Sequence, residues 1–334
     1  WIRDALSGLH ADVGRYTSTE AADDLDDVRE ALGYDRIDLY GGSYGATLAQ
    51  YYLRRHGEHA RAVLLDGGTL LHVPVFELIA RRSDRALASA LERCRDDTAC
   101  RSAYPDPTGD LASVTATLAR DPVTVAVRTP VSTHDVVVTE RAFAGAIHAL
   151  LLESRSAEIP GLLRRAAGGD LSGIAAVVAD RESDADGYRQ LMTWAIRCSE
   201  PWAAFRPRRV SALGRGSYLV EEQLADALTT RLVCDVMPPL PDRGGDDEPV
   251  RSDVPVLLLN GTEDPQDPPA NVAGAARQLT GSLTVAVPGY GHTVGHVGCL
   301  PQVVAAFLAA GGVDGLDTGC VAEMPAPSFE LPSS

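Results

Sequence analysis

The sequence predicts an α/β protein in which a mostly parallel sheet carries helices on both faces and a large helical insertion divides the chain. Short apolar runs alternate with helix-periodic segments at both ends of the 334 residues, which is typical of parallel βα units. Between about residues 71 and 249 this alternation stops and helical periodicity dominates. We therefore expect residues 1–70 to form the first part of the core, residues 71–249 a mainly helical cap, and residues 250–334 the second part of the core.

The first part of the core is predicted to begin with a helix after Thr17-Ser18-Thr19-Glu20, which has the pattern of a capping box. Gly33 is expected to end that helix. Its acidic residues are predicted to form a solvated outer face: Asp23, Asp24, Asp26 and Asp27. The next predicted elements are the strand Arg36–Tyr40, the helix Ala46–Arg55 and the strand Ala62–Gly67.

The cap is predicted to contain several helices and one short β-hairpin. The predicted helices are Glu77–Arg93, Leu111–Ala119, Arg141–Leu152, Ile159–Ala167, Tyr188–Arg197 and Val220–Arg231. The hairpin is expected to pair Val123–Val127 with Asp135–Thr139.

The second part of the core starts with the clearest buried strand of the chain, Val254–Gly261, because this run is apolar on both faces. A second strand is expected at Ser282–Val287. Helices are predicted at Asn271–Leu279 and at Pro301–Ala310. The βα alternation of this segment is the reason for assigning it to the same sheet as the first 70 residues.

The net charge of the chain limits the kinds of molecule that it is expected to bind. A net charge of −16 and a pI near 4.9 argue against nucleic acid and against an anionic membrane surface as partners. No apolar run reaches the length of a membrane span.

Six cysteines fall into three sequence-near pairs, Cys94 with Cys100, Cys198 with Cys234 and Cys299 with Cys320. Their spacings match no metal-binding pattern of the CxxC type. An even number of cysteines favours disulfides and an oxidising, extracellular location. Spacing alone does not establish which cysteines pair.

The motif Gly41-Gly42-Ser43-Tyr44-Gly45 connects the predicted strand before it to the predicted helix after it. A Gly-x-Ser-x-Gly sequence in this context is typical of a nucleophile elbow, a strained turn that exposes the serine Oγ. We expect Gly41 and Gly45 to be glycines because the strand and helix backbones approach closely there. Ser43 is therefore the candidate nucleophile.

A serine nucleophile needs a general base, and His292 is the best candidate among the eight histidines. His292 follows a predicted strand directly and is flanked by small or short residues. His296 is the alternative base. The other histidines lie in polar turns or in the cap, and His56 and His59 are expected to be solvated.

The acid that orients the base is assigned to Asp264, which follows the buried strand and precedes Pro265. Glu263 and Asp267 are rivals in the same loop. Glu263 is the one that best fits an acidic surface turn. The order serine, aspartate, histidine along the chain agrees with the elbow assignment.

An acyl-transfer site also needs donors for the oxyanion, and the backbone N–H of Tyr44 is the predicted first donor. The second donor usually comes from a loop that precedes the elbow strand, and no such run lies upstream of Ser43. We therefore expect the N-terminal strands, about a hundred residues, to lie outside this chain. We also expect the isolated chain to be nearly inactive without that N-terminal part of the same enzyme.

The matching motifs cover the α/β parts at both ends of the chain and resemble the secreted tripeptidyl and prolyl aminopeptidase family of α/β hydrolases. In the cap the resemblance is loose, confined mainly to Ala195-Ile196-x-Cys198 and Cys234. The motifs at the two ends are Asp24-Leu25-Asp26-x-Val28-Arg29, Leu39-Tyr40-Gly41-Gly42-Ser43-Tyr44-Gly45, Tyr52-Leu53-Arg54-Arg55-His56, Val63-Leu64-Leu65-Asp66-Gly67, Asn260-Gly261-Thr262-x-Asp264-Pro265, Gly291-His292-Thr293 and Cys299…Cys320.

This resemblance implies an α/β-hydrolase fold and a serine exopeptidase without metal or cofactor, which releases short peptides or single residues from free N-termini. By matched position it implies Ser43, Asp264 and His292 as the triad. It further implies that acidic cap residues bind the α-ammonium of the substrate. Glu200 is the candidate for that role, with Glu221 and Glu222 as alternatives.

Two departures from the family pattern concern the site. Asp267 stands where the family often has Thr, and Met237 stands where it has Trp. The first affects hydrogen bonding in the acid loop and the second the shape of the pocket. Two other functions are compatible with the sequence: a carboxylesterase with the same triad, and a hydrolase-fold protein that binds a ligand or partner without catalysis.

Overall fold

The structure, a computed structural model, describes residues 2–8, 10–128, 133–183, 187–200, 206–238 and 247–332. Within these residues the strands are β1 (Ile37–Gly42), β2 (Ala60–Asp66), β3 (Val123–Arg128), β4 (Thr133–Val138), β5 (Val256–Gly261) and β6 (Ser282–Val287). Four of them form a parallel sheet in the order β1-β2-β5-β6. The predicted parallel sheet is thus confirmed, and the two ends of the chain meet in it where β2 pairs with β5.

The sheet and the cap hairpin differ in their position in the chain and in strand direction. β3 and β4 form a separate antiparallel pair inside the cap, as the sequence predicts.

In the described part of the chain β1 is an edge strand of the sheet, because it pairs on one side only, with β2. Tyr40 of β1 is 59% exposed.

Thirteen α-helices lie in the described residues. They are α1 (Ile2–Ser7), α2 (Ser18–Ala31), α3 (Tyr44–His56), α4 (Val75–Asp96), α5 (Thr98–Ala103), α6 (Pro107–Leu118), α7 (Glu140–Leu152), α8 (Ile159–Ala167), α9 (Ser172–Ser183), α10 (Gly187–Ser199), α11 (Pro207–Leu213), α12 (Val220–Cys234) and α13 (Leu300–Ala310). None of the described helices is both long and apolar enough to cross a lipid bilayer.

The core lies on both faces of the sheet because alternate residues of each strand point to opposite faces. In β2, Val63 and Leu65 belong to one buried cluster, together with residues of α2 and α3. Leu64 belongs to the cluster on the other face, where Phe307 of α13 packs. Burial on both faces explains why β2 and β5 are continuously apolar instead of alternating.

The cap has a hydrophobic cluster of its own, built by α6, α7, α8 and α9 with the β3–β4 hairpin. Phe143, Ile147 and Leu150 of α7 are almost fully buried in it. α7 is thereby fixed as the central helix of the cap. One side of α7 also reaches the site described below.

The three sequence-near cysteine pairs lie within bonding distance, with Cα separations of 5.2 Å for Cys94–Cys100, 5.3 Å for Cys198–Cys234 and 6.5 Å for Cys299–Cys320. The first pair joins α4 to α5, and the second joins α10 to α12. The third closes the segment around α13. The two pairs in the cap therefore add a covalent link between helices that also pack against each other.

The structure corrects two predictions about local elements. Asn271–Leu279 is not an α-helix; only two short 3₁₀ turns form there, Pro269–Asn271 and Ala275–Arg277. Gly274 lies between them in the left-handed region, with φ of 80°, which interrupts helical backbone. The predicted set of helices was also incomplete, because α1, α5, α9 and α11 were not predicted.

Of the four acidic residues of α2 that were predicted to form a solvated face, Asp24 and Asp27 are exposed, whereas Asp23 and Asp26 make contacts with neighbouring side chains. Asp23 accepts a hydrogen bond from Arg55 at 2.6 Å and lies 2.7 Å from His56 Nε2. Asp26 lies 2.9 Å from His59 Nδ1 and pairs with Arg29 at 2.7 Å. These contacts join α2 to the end of α3 and the turn after it, so His56 and His59 contact carboxylates rather than being merely solvated.

Candidate active site

Ser43 lies at the junction of β1 and α3 with φ of 53° and ψ of −120°, in the positive-φ region that side chains rarely adopt. Its N–H donates to the carbonyl of Asp66 at 2.9 Å, which fixes the turn against β2. A Cβ at Gly41 would lie 2.1 Å from the Gly45 carbonyl oxygen, so only glycine fits at Gly41. A Cβ at Gly45 would meet nothing within 4 Å, so the steric reason predicted for Gly45 is wrong.

Asp264 and His292 are brought together from the ends of β5 and β6. His292 Nδ1 lies 2.7 Å from Asp264 Oδ2. The other oxygen of Asp264 accepts the backbone N–H groups of Gln266 at 2.9 Å and Asp267 at 2.8 Å. Asp264 is 1% exposed, so its carboxylate is held in one orientation by these bonds.

The electrostatics of His292 result from two opposing effects. Burial lowers its pKa, whereas the hydrogen bond and the negative charge of Asp264 raise it, and the net result is a pKa of about 9. Nε2, the nitrogen that is not bonded to Asp264, is buried and has no hydrogen-bond partner. A buried ring nitrogen without a partner is available to exchange a proton with a group that enters the site.

Asp267 is a second carboxylate beside the same histidine, with Oδ2 3.6 Å from His292 Nδ1. It accepts hydrogen bonds from Thr69 and from Gln266 Nε2, the latter at 2.9 Å. Burial, together with the charge of Asp264, raises the pKa of Asp267 to about 6. Where the family often has Thr, this chain therefore places a second ionisable group within reach of the base.

Glu263 is not in an acidic surface turn, as its sequence context suggested. It is 1% exposed and pairs with Arg93 Nε at 3.1 Å. Ser156 Oγ donates to it at 2.6 Å. Because Arg93 lies on α4 and Ser156 precedes α8, Glu263 fastens the acid loop to the cap.

Asp66 is a positioning residue that the sequence reasoning did not single out for the site. It is fully buried at the end of β2 and accepts the backbone N–H groups of Val294 at 2.6 Å and Gly295 at 2.9 Å. Tyr40 O–H also donates to it at 2.8 Å. These bonds hold the loop that carries His292, in which Thr293 has φ of 55°. The sequence signal that could have indicated this role is an aspartate at the end of an otherwise apolar strand.

Tyr44 begins α3, so its backbone lies at the positive end of the helix directly behind Ser43. Its phenol is 2.7 Å from Ser18 Oγ. Burial raises the pKa of Tyr44 to about 12, so the phenol stays protonated at neutral pH. The role of the Tyr44 N–H as an oxyanion donor stays a prediction.

A cavity of about 520 Å³ opens beside Ser43, between the sheet and the cap. Apolar residues of α4 and α10 line part of it, among them Phe76 and Ile196. Its polar lining includes His148 and Arg181 as well as Glu222 and Asp226 of α12. The cavity is of the size typical of small-ligand sites.

Glu200 is located outside this lining. It is 2% exposed, and its carboxylate accepts the backbone N–H of Ser18 at 2.7 Å and the Ser18 hydroxyl at 3.1 Å. Tyr51 O–H donates to it as well, at 3.3 Å. Glu200 thus caps the start of α2, and among the predicted ammonium-binding residues it is Glu222 that faces the cavity.

Two other histidines, His296 and His148, have surroundings that do not resemble those of His292. His296 is exposed. His148 lines the cavity, and its Nδ1 is 3.1 Å from Ser83 Oγ. Burial, with a smaller contribution from Arg181, lowers the pKa of His148 to about 4, so the ring is neutral at physiological pH.

Two groups of side chains in the described residues have ligand atoms close enough to hold a metal ion. One is Asp264, Asp267 and His292, and the other is Asp26, His56 and His59. In the first group the carboxylate of Asp264 is already bonded to the histidine and to two backbone N–H groups. Those bonds suit an acid that orients a base.

Comparisons with known proteins match both ends of the chain. A family model described as "TAP-like protein" matches residues 222–320, and one described as "alpha/beta hydrolase fold" matches residues 5–98. The chain has the α/β-hydrolase fold and a TAP-like C-terminal part. The first match contains the acid and histidine loops, and the second contains the elbow. The resemblance noted from the sequence motifs is thereby confirmed.

The chain is also similar to a proline iminopeptidase of Xylella fastidiosa, with 36% identity over 58 residues. That segment spans 17% of this chain and only 18% of the relative's length. Among solved structures it is similar to an α/β hydrolase enzyme from a Medee basin deep-sea metagenome library, with 13% identity, a TM-score of 0.33 and coverage of 95% of this chain and 75% of that one.

A second solved structure with similarity to this chain is an epoxide hydrolase of Bacillus megaterium. The identity is 14% and the TM-score 0.35, with 90% of this chain and 78% of that chain covered. Likenesses at this level bear on neither the substrate nor the reaction.

Proposed function

We propose that this α/β-hydrolase-fold protein is a serine exopeptidase that acts on peptides with a free N-terminus through an acyl-enzyme. The observation that carries the proposal is the pair of Asp264 and His292 at 2.7 Å, with a buried and unpartnered His292 Nε2, in a protein whose Ser43 occupies a strained turn between strand and helix. A nucleophile, a base and an orienting acid are the parts that acyl transfer requires.

In the proposed reaction Ser43 Oγ attacks the scissile carbonyl while His292 Nε2 accepts the hydroxyl proton. Asp264 stabilises the imidazolium that forms. The tetrahedral oxyanion is held by the backbone N–H of Tyr44, at the N-terminus of α3. His292 then returns the proton to the leaving amine, and a water molecule, activated by the same histidine, hydrolyses the acyl-enzyme.

The preference for a free N-terminus rests on the acidic residues of α12 in the cavity. Asp226 is neutralised by Arg197 at 2.6 Å, whereas the partner of Glu222, Arg141, is 3.5 Å away and 59% exposed. Glu222 is therefore the more available carboxylate for an ammonium group. In this proposal it takes the role first assigned to Glu200.

The nucleophile is tested by reaction with a fluorophosphonate probe, which labels activated serines. Labelling of the wild-type protein, and its loss together with peptide hydrolysis in Ser43→Ala, would support the proposal. Loss of the nucleophile is expected to lower kcat by a factor on the order of 10⁴ or more. A wild-type protein that is not labelled would favour the non-catalytic hydrolase-fold alternative.

The substrate class is tested with matched substrates. We expect aminoacyl and tripeptidyl anilides to be hydrolysed and their N-acetylated forms to be poor substrates. Glu222→Gln should raise KM for the free-amine substrates about tenfold, as expected for a lost charge-assisted contact. Glu221→Gln is the matched control, because this neighbour on the same helix does not line the cavity.

The esterase alternative has its own outcome in the same assay. If a short-chain p-nitrophenyl ester is hydrolysed far faster than every anilide, and if acetylation has no effect on the anilides, the protein is a carboxylesterase and not a peptidase.

Secretion also belongs to the proposal, because three bonded cysteine pairs fit an extracellular location. Finding the protein in the culture fluid of its producing cells would test that part.

A further inference from the structure

Arg181 is a cation of the cavity that the proposed reaction does not use. It lies on α9 and lines the cavity with Ser43 and His148. The other arginine in the lining, Arg197, is paired with Asp226 at 2.6 Å. Within the described residues Arg181 forms neither an ion pair nor a hydrogen bond.

The position of Arg181 is set by a glycine on the neighbouring helix. A Cβ at Gly145 would lie 2.1 Å from Arg181 Nη1 and 3.0 Å from its Cζ, so the guanidinium lies directly against the backbone of α7. Gly145 is in the middle of that helix, where glycine is less stable than alanine. The missing side chain leaves the space that the guanidinium occupies.

The surroundings of the guanidinium contain a fixed, neutral histidine. His148 is one turn from Gly145 on α7, and its Nδ1 is held 3.1 Å from Ser83 Oγ, which in turn contacts the Tyr218 hydroxyl at 2.5 Å. The charge of Arg181 acts on His148 together with those of Asp264 and His292. Arg181 and His148 therefore lie near each other in the lining of the cavity that also contains Ser43.

Arg181 is exposed, lines the cavity and has no anionic partner among the described residues. Such an arginine is suited to a carboxylate, because its planar fork binds both oxygens at once. Glu222 lines the same cavity from α12. The cavity thus offers a carboxylate for a substrate ammonium and a guanidinium for a substrate carboxylate. A peptide that carries both charges within a few residues would match both.

We infer that Arg181 is a specificity-determining residue that binds a carboxylate of a short peptide substrate, either an acidic side chain or the free C-terminus. This inference rests on the proposed peptidase function and names its substrate class. A side chain at Gly145 would displace the guanidinium from its present position.

The test is calorimetric binding of four peptides to the Ser43→Ala protein, which cannot turn them over. The peptides are Ala-Ala-Glu and Ala-Ala-Gln, each with a free and with an amidated C-terminus. We expect peptides with a carboxylate to bind on the order of tenfold more tightly than the fully neutralised Ala-Ala-Gln amide. Loss of the preference on amidation assigns the C-terminus, and loss on replacing Glu by Gln assigns the side chain.

The variants are made in the same Ser43→Ala background. Arg181→Gln should abolish the preference, and Gly145→Ala should weaken it by displacing the guanidinium. Arg181→Lys should keep part of it, since a charge remains without the fork. Arg120→Gln is the matched control, because Arg120 is an exposed arginine outside the cavity lining. It should leave the preference unchanged.

Equal affinities for all four peptides, including no measurable binding of any of them, would overturn the inference. So would a preference that survives in Arg181→Gln. Labelling of wild-type Ser43 by the fluorophosphonate is measured separately. If the serine is not labelled while the carboxylate preference is present, the proposed catalysis fails and the carboxylate subsite stands.

Discussion

At the scale of single residues, the hydrogen bonds of Asp264 explain why this carboxylate is the one that bonds to His292. Two backbone N–H groups of its own loop bond to one oxygen, and the other oxygen is left for His292. Backbone donors stabilise the ionised form and leave the carboxylate no freedom to rotate. Glu263 is directed instead to Arg93.

The first prediction concerns Asp267, whose negative charge helps to raise the pKa of His292 to about 9. Other charges that act on His292 are those of Asp264 and Asp66. Asp267→Asn removes one of these three negative charges, so the pKa of His292 should fall. Since the base must be unprotonated, the rise of kcat/KM with pH should have its midpoint near 9 in the wild type and at lower pH in the variant.

The measurement is the pH profile of kcat/KM, or of the rate of fluorophosphonate labelling, for the two proteins. Asp264→Asn is the contrasting variant, because it should lower the rate at every pH by a factor on the order of 10⁴ through loss of the correct tautomer. An unchanged midpoint in Asp267→Asn would show that its carboxylate does not act on the base.

Much of the candidate site could be predicted from the sequence at this scale. Ser43, Asp264 and His292 each follow a recognisable strand, and the carboxyl ends of parallel strands share one edge of the sheet. The burial of Glu263 and the proximity of Asp267 to His292 could not be predicted. Both depend on how a loop folds back on itself and on contacts with α4 and α8, which no local pattern encodes.

At the scale of secondary-structure elements, the regular strands and long helices were predictable because their apolar periodicity is strong. α7 and α8 agree with the prediction almost to the residue. The failure after β5 has a local cause, since Gly274 in the left-handed region divides an otherwise helix-compatible run into two 3₁₀ turns. Sequence periodicity does not report the sign of φ at a glycine.

The second prediction concerns the connection between β2 and the histidine loop. Asp66→Asn would place an amide NH₂ group beside backbone N–H groups that now donate to a carboxylate. The loss of a buried, charged hydrogen-bond acceptor in this variant should lower the free energy of unfolding by about 2–3 kcal/mol. It should also lower kcat more than it changes KM, because the position of His292 is affected rather than substrate binding.

Urea denaturation and steady-state kinetics measure the two effects. Tyr40→Phe is the matched control, since it removes one hydrogen bond to the same carboxylate from a residue that is 59% exposed. Its effect on the free energy of unfolding should stay below about 1 kcal/mol. Equal losses in the two variants would argue against a special role of Asp66 in holding the loop.

At the scale of the whole molecule, the sheet and the cap have separate hydrophobic clusters, and the candidate active site lies between them. Two lie on the faces of the sheet, and one lies within the cap. Polar contacts also join the cap to the loop after β5, such as Arg93 with Glu263. An apolar cluster joins Val13 of the N-terminal segment to Ala195 and Val233 of the cap.

The last prediction concerns the disulfides of the cap, whose effects should follow the length of chain that each one closes. Cys198–Cys234 closes a separation of 36 residues and Cys94–Cys100 one of 6. In the chain-entropy model, removal of the longer closure should lower the free energy of unfolding by about 4 kcal/mol and removal of the shorter one by about 2 kcal/mol. Double Cys→Ala variants of each pair, compared by urea denaturation, measure this order.

The two pairs should also differ in their effect on the substrate. Cys198 ends the helix that carries Ile196 and Arg197, and Cys234 ends the helix that carries Glu222, so this pair joins two walls of the cavity. Its removal should raise KM for free-amine peptides, whereas removal of Cys94–Cys100, away from the cavity lining, should leave KM unchanged. If both pairs affect KM equally, the cavity does not depend on the α10–α12 connection, and the position of Glu222 must be fixed by packing against α4 and α7 instead.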